Sequence, residues 1–233
     1  MRLLNTIRGS YGALRMLSWI TKLINLFCRR YDRTENARAR ERAVLPPGTI
    51  NGQGLGAVCA LPYGAWNMGN NGCEVIAVYN ALVTLHRPVP LAEIAAALEK
   101  RGLLFNGFGG TNLSAVAAYL RRLGLGVTVL RRRDRERYDA ALDEADCAIL
   151  SFWTGPKLRR ADGSWNTLHT VTVRRGFAGV EICNCTNDWP APHSARSIAD
   201  FLRREGGEPV CLFSLKKVDK SGGTRYNPQD ETR

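Results

Sequence analysis

The chain has 233 residues, 45% of them hydrophobic and 23% charged, which suits one sizeable globular core with appended segments. The net charge of +12 is uneven, because residues 1–42 hold ten Arg/Lys against three acids. Seven irregularly spaced cysteines, with no C-x-x-C pair, argue against a disulfide framework and a structural zinc site and point to reduced thiols in a cytoplasmic protein.

Residues 1–30 carry apolar side chains at helical spacing (Leu3, Ile7, Tyr11, Leu14, then Ile20, Leu23, Phe27), with Arg8, Arg15, Lys22 and Arg29 seven apart on the other side. This pattern predicts a basic amphipathic helix. Lys22 and Asn25 interrupt its best apolar stretch, which is far too short to span a bilayer. It also lacks the compact hydrophobic region and cleavage site of a signal peptide. Three roles stay open for it: packing on the body or self-association, lying on an anionic membrane surface at the inner face, or serving as a removable pro-segment. Residues 31–54 read as a charged linker.

From residue 55 to 217 the pattern is that of a single α+β domain. An apolar, helix-like run follows Cys73, Leu91–Leu98 reads as a short helix after a proline turn, and Gly110-Thr111-Asn112 caps a helix over 113–122. Strand-like runs then occupy 126–130, 148–153, 170–173, 180–183 and 210–215, with a helix over 197–204 before the last. Helices first and strands afterwards argue α+β rather than alternating βαβ. Residues 218–233 read as a disordered tail.

The chemistry concentrates on Asn67-Met68-Gly69-Asn70-Asn71-Gly72-Cys73. A cysteine between a Gly/Asn-rich loop and a buried helix sits at the positive end of the helix dipole, where the thiolate is favoured. Asn67, six residues earlier, can offer an amide N–H to an oxyanion held at Cys73, with Asn70 and Asn71 as substitutes. His169 opens a later strand and is placed to act as base; Asn184 closes the next strand and is placed to hold the imidazole. Trp66, Asn71, Gly72 and Trp165 are the candidate substrate-contacting residues, the tryptophans as groove walls or as caps on the sheet ends. Each element also has an inert reading: a packing cysteine, an edge histidine, and turn chemistry at Asn184.

In this order and spacing the residues resemble papain-like cysteine peptidases, in particular the bacterial group related to bacteriocin-leader (double-glycine) peptidases. The resemblance covers roughly residues 60–190. It implies a helical lobe, with the nucleophile helix packed on an antiparallel β-sheet, and an acyl-enzyme on Cys73 with His169 as base, Asn184 orienting it and Asn67 at the oxyanion. It also implies a peptide or protein substrate and no cofactor. Two positions depart from that pattern. Asn67 stands where the group has Gln, and Glu74 stands where it has a small residue, placing a carboxylate beside the thiolate.

Three functions compete on this reading: a thiol peptidase (or an acyltransferase using the same triad), a catalytically silent peptidase-like binding protein, and a basic surface-binding protein. No nucleic-acid motif accompanies the basic clusters at 1–42 and 131–137, so nucleic acid is not an expected partner. Cys183, Cys185 and His193 are potential metal ligands, but no fourth ligand is evident and no metal is expected.

Overall fold

The computed structural model describes residues 31–45, 47–107, 109–154 and 167–218. The expected helix over 1–30, the tail beyond 218 and Trp165 lie outside them.

The chain order is helices α1 (Arg33–Glu41) and α2 (Gly56–Ala60), a small hairpin β1 (Pro62–Tyr63) and β2 (Trp66–Asn67), then α3 (Met68–Asn71), α4 (Cys73–Thr84), α5 (Leu91–Arg101) and α6 (Leu113–Arg122). There follow β3 (Leu125–Arg131), α7 (Tyr138–Asp143), β4 (Cys147–Trp153), β5 (Leu168–Gly176), β6 (Gly179–Cys183), β7 (His193–Ala195), α8 (Ile198–Glu205) and β8 (Glu208–Lys217). The six longer-range strands form one sheet in the order β3-β8-β4-β5-β6-β7, antiparallel at every pairing. The α+β expectation therefore holds, with a helical half preceding an antiparallel sheet.

Both faces of the sheet's centre are covered. On one side α4, α5 and α6 pack through Val75, Ile76, Ile94 and Leu120 against Cys147, Ile149, Phe213 and Leu215. On the other, α7 and α8 bring Tyr138, Leu142 and Phe201 against Leu150, Val171, Val173 and Leu212. The central strand β4 reads as a near-continuous apolar run because it is covered on both faces along all but its last residue. Helix α4 is apolar almost all round, with nine of its twelve residues buried, as a central helix must be.

The linker expected over 31–54 is corrected by α1. Asp32 caps this helix, its carboxylate accepting the N–H groups of Thr34 and Glu35. It docks on α5 through polar groups. Arg40 makes two 2.8 Å bonds to the Glu99 carboxylate, with both side chains only 1% exposed. Asn36 donates to Glu99 at 3.0 Å and to the Gly64 carbonyl at 2.9 Å. A helix held by buried polar contacts has no apolar stripe, so periodicity does not reveal it. Among the described residues no helix is long and apolar enough to cross a membrane.

Candidate functional site

Cys73 is the first residue of α4, after the Gly72 N-cap. Glycine is required at 72 by crowding: a Cβ there would lie 2.5 Å from the Met68 sulfur and 2.7 Å from its carbonyl oxygen. The helix N-terminus expected at the cysteine is present, but Cys73 as a whole is only 7% exposed. Its hydrogen goes to the Glu74 carboxylate, with Sγ to Oε2 at 3.3 Å.

Glu74 belongs to a buried polar chain. Thr111 donates to it through both backbone and hydroxyl, and the Thr111 hydroxyl is 2.7 Å from the Tyr63 phenol. Tyr63, Glu74 and Thr111 are all buried. Burial, first of all, lifts the Glu74 carboxyl to about 7 against its hydrogen bonds. Burial, then the Glu74 charge and the hydrogen bond to Glu74, push the Cys73 thiol well above its ordinary value. Backbone N–H groups of Thr170 and Glu74 pull the other way and do not prevail. The sulfur is a thiol at neutral pH.

His169 is 8% exposed and is the second residue of β5. Its Nε2 lies 2.7 Å from the backbone carbonyl of Asn184. A carbonyl only accepts, so this nitrogen carries the hydrogen and Nδ1 keeps the lone pair. Burial lowers the imidazole pKa, more than the Asn184 and Cys185 carbonyls raise it, so the ring is neutral at pH 7.

Strand register decides which way that ring points. Residues opposite one another in β4 and β5 share a face: Phe152 with His169, Ser151 with Thr170, Ile149 with Thr172. Thr172 donates its hydroxyl to the Ala77 carbonyl of α4 at 2.7 Å, so Thr170 and Thr172 take the α4 side. His169 takes the other, edge-on to Phe152 at 6.0 Å between ring centres, with Phe152 in turn on Phe201 of α8. Cys73 thus reaches the strand at the Thr170 backbone, while the His169 ring leaves it toward α8. No hydrogen bond joins Cys73 to His169 among the described residues. The expected aim of His169 at the α4 N-terminus is corrected by this alternation.

Asn184 is corrected in role, although it does lie beside His169. Its backbone carbonyl, not its amide, meets the imidazole. Its side chain faces Gln53: Nδ2 donates to Gln53 Oε1 at 2.9 Å and Oδ1 accepts the Gln53 N–H at 3.0 Å. Its own N–H goes to Asn51 Oδ1 at 2.8 Å. Left-handed backbone at Asn184 (φ 63°) turns the chain at the end of β6, a conformation Asn tolerates better than most residues. Gln53, buried, continues the chain by donating to the Gly69 carbonyl at 3.0 Å. Sequence reasoning missed Asn51 and Gln53, which sit in an aperiodic stretch.

Asn67 is likewise corrected. It is the N-cap of α3, its side-chain oxygen accepting the Asn70 N–H at 3.0 Å, so its oxygen is aimed into the backbone of its own turn. Trp66 and Asn71 do come together: a Cβ at Gly107 would lie 3.3 Å from Trp66 Cδ1 and 3.5 Å from Asn71 Nδ2. Both stand in the segment leading to Cys73.

No protein-family model matches the chain, and no curated protein matches it.

Proposed function

We propose that the chain is a papain-like, peptidase-type domain that is catalytically silent and binds a peptide rather than hydrolysing it. The helical half packed on an antiparallel sheet, with a cysteine opening the central helix and a histidine second in a strand beside it, supports the fold-level part of this reading. One observation carries the functional part: the Cys73 hydrogen is given to a buried carboxylate while the His169 ring packs on Phe152, on the α8 side of the sheet. Acyl transfer requires an ionised, accessible sulfur within reach of a base. Here the sulfur is protonated and enclosed, and the imidazole that would take its proton is turned away.

A second reading, a thiol peptidase working through an acyl-enzyme on Cys73, is favoured by the Thr170 N–H that meets the sulfur one residue from His169. It requires the His169 ring to swing to the α4 side and Glu74 to lose its hold on the thiol.

Site-resolved alkylation with iodoacetamide across pH, comparing wild type with His169→Ala, separates the two. The silent module predicts no preferential labelling of Cys73 below pH 7 and no change on removing His169. Selective Cys73 labelling that disappears in His169→Ala establishes a thiolate–imidazolium pair and overturns the proposal.

A further inference from the structure

We infer that Cys185, His193 and Glu205 form a binding site for a divalent transition-metal ion of the zinc class. The site does not include Cys73, although His169 lines the same cavity. Three elements converge on it: the turn after β6, the start of β7 and the last residue of α8. Cys185 Sγ, a ring nitrogen of His193 and a carboxylate oxygen of Glu205 all lie within 4.8 Å of one another.

The donor set is the first argument. Thiolate, imidazole and carboxylate are the groups zinc takes, and three protein ligands plus an open position is the usual arrangement of a reactive or exchangeable site. Tetrahedral bonds of about 2.0–2.3 Å set ligand atoms roughly 3.5 Å apart, so the cluster needs to close by no more than about 1 Å on binding. His193 is half-buried and Glu205 exposed, which leaves both side chains free to make that adjustment around the buried Cys185. Binding displaces the thiol proton to solvent, leaving a metal–sulfur bond in its place.

The placement of Glu205 is the second, independent argument. A carboxylate on the final residue of α8 faces the negative end of the helix dipole, an unfavourable position. Arg204 is close enough for its charge to act on Cys185, but neither neighbouring cation pairs with Glu205. Arg203 pairs with Asp200 at 2.8 Å, and Arg204 bonds to Asp200 at 3.4 Å and to the Ser194 carbonyl at 2.8 Å. Among the described residues no ion pair engages Glu205. A cation held between Glu205, the thiolate and the imidazole gives Glu205 a direct partner at the helix end.

The third argument is preorganisation and access. Pairing of Ile182 with His193 fixes His193 across from β6, and the left-handed turn at Asn184 sets the direction in which Cys185 leaves the strand. The cluster stands where two surface cavities meet. One, of about 240 Å³, is lined by Cys185, Glu205, His169 and Thr186. The other is lined by His193, Glu205 and Trp189. A water or small anionic ligand has room to complete the coordination.

The test is titration of the full chain with Co²⁺, monitored by the thiolate-to-cobalt charge-transfer absorption, followed by displacement with Zn²⁺. The expected result is one Co²⁺ per chain with a thiolate band that Cys185→Ser abolishes. His193→Ala and Glu205→Gln should each weaken binding by more than the roughly tenfold that losing an outer-shell partner costs. The latter two positions are not buried, so they carry the test if Cys185→Ser fails to fold. No thiolate band, a band that persists in Cys185→Ser, or unchanged affinity in both His193→Ala and Glu205→Gln overturns the proposal.

Discussion

Cys73 donates its thiol hydrogen to Glu74, the next residue of the same helix turn, across 3.3 Å. The carboxylate therefore stabilises the protonated sulfur twice over, by its charge and as the acceptor of the S–H. Replacing Glu74 by Gln removes the charge and leaves the size of the side chain unchanged. The pH midpoint for Cys73 alkylation should move down in Glu74→Gln, yet stay above that of an ordinary thiol, because burial is the larger cause. A midpoint that does not move would show that Glu74 does not hold the proton on sulfur.

The same carboxyl predicts a pH-dependent stability. Its pKa is raised from an ordinary 4.5 to about 7 on folding, chiefly by burial, so the native state takes up a proton between these values. The contribution is fully present below about pH 4.5 and is lost as pH rises through about 7. Its size is on the order of 3 kcal/mol. His169 runs the other way. Burial depresses its folded pKa, so its contribution is present above the ordinary imidazole range and lost as pH falls. Comparing urea unfolding of wild type and Glu74→Gln removes the His169 part. The wild type should lose stability relative to the variant as pH rises, and a pH-independent difference would refute the assignment.

The Arg40–Glu99 pair anchors α1 to α5 in the interior. Glu99→Ala leaves a buried guanidinium without its partner and also strips an acceptor from the Gly64 N–H, 2.7 Å away, and from Asn36. The expected cost is about 3–5 kcal/mol in urea unfolding. A loss under about 1 kcal/mol, the scale of an exposed pair, would mean that α1 is not held this way.

Asn184 offers a test of backbone against side chain. Both Asn184→Gly and Asn184→Ala remove the two bonds to Gln53, leaving buried polar groups unpaired at about 1–3 kcal/mol each. Alanine adds the left-handed backbone penalty, about 1–2 kcal/mol, so Asn184→Ala should be the less stable of the two by thermal or urea unfolding. The His169 titration, followed by proton NMR, should be the same in Asn184→Gly as in wild type, because the imidazole bonds to the main chain. A shifted titration would restore the side chain as the group that orients the ring.

Much of the scaffold is legible in the sequence. The runs at 126–130, 148–153, 170–173, 180–183 and 210–215 all lie within strands, and the helices after Cys73, Pro90 and Asn112 start where their caps and turns indicate. The missed elements are the short or polar ones. Helix α1 buries Asn36 and Arg40 instead of an apolar stripe, and β7 is a three-residue edge strand beginning at His193.

What the sequence by itself determined is the order of helices and strands and the seating of Cys73 at a helix N-terminus, since hydrophobic period and glycine crowding are local properties. What only the tertiary structure decided is how the polar residues are paired. Both faces of β5 are buried, so the alternation of His169 with Thr170 carries no mark of which face meets α4; the register with β4 settles it. Asn184 turns to Gln53, 131 residues away, and Arg40 finds Glu99 across 59 residues. Hydrogen bonds and ion pairs between distant segments have no sequence period, so only the fold that brings those segments together can specify them.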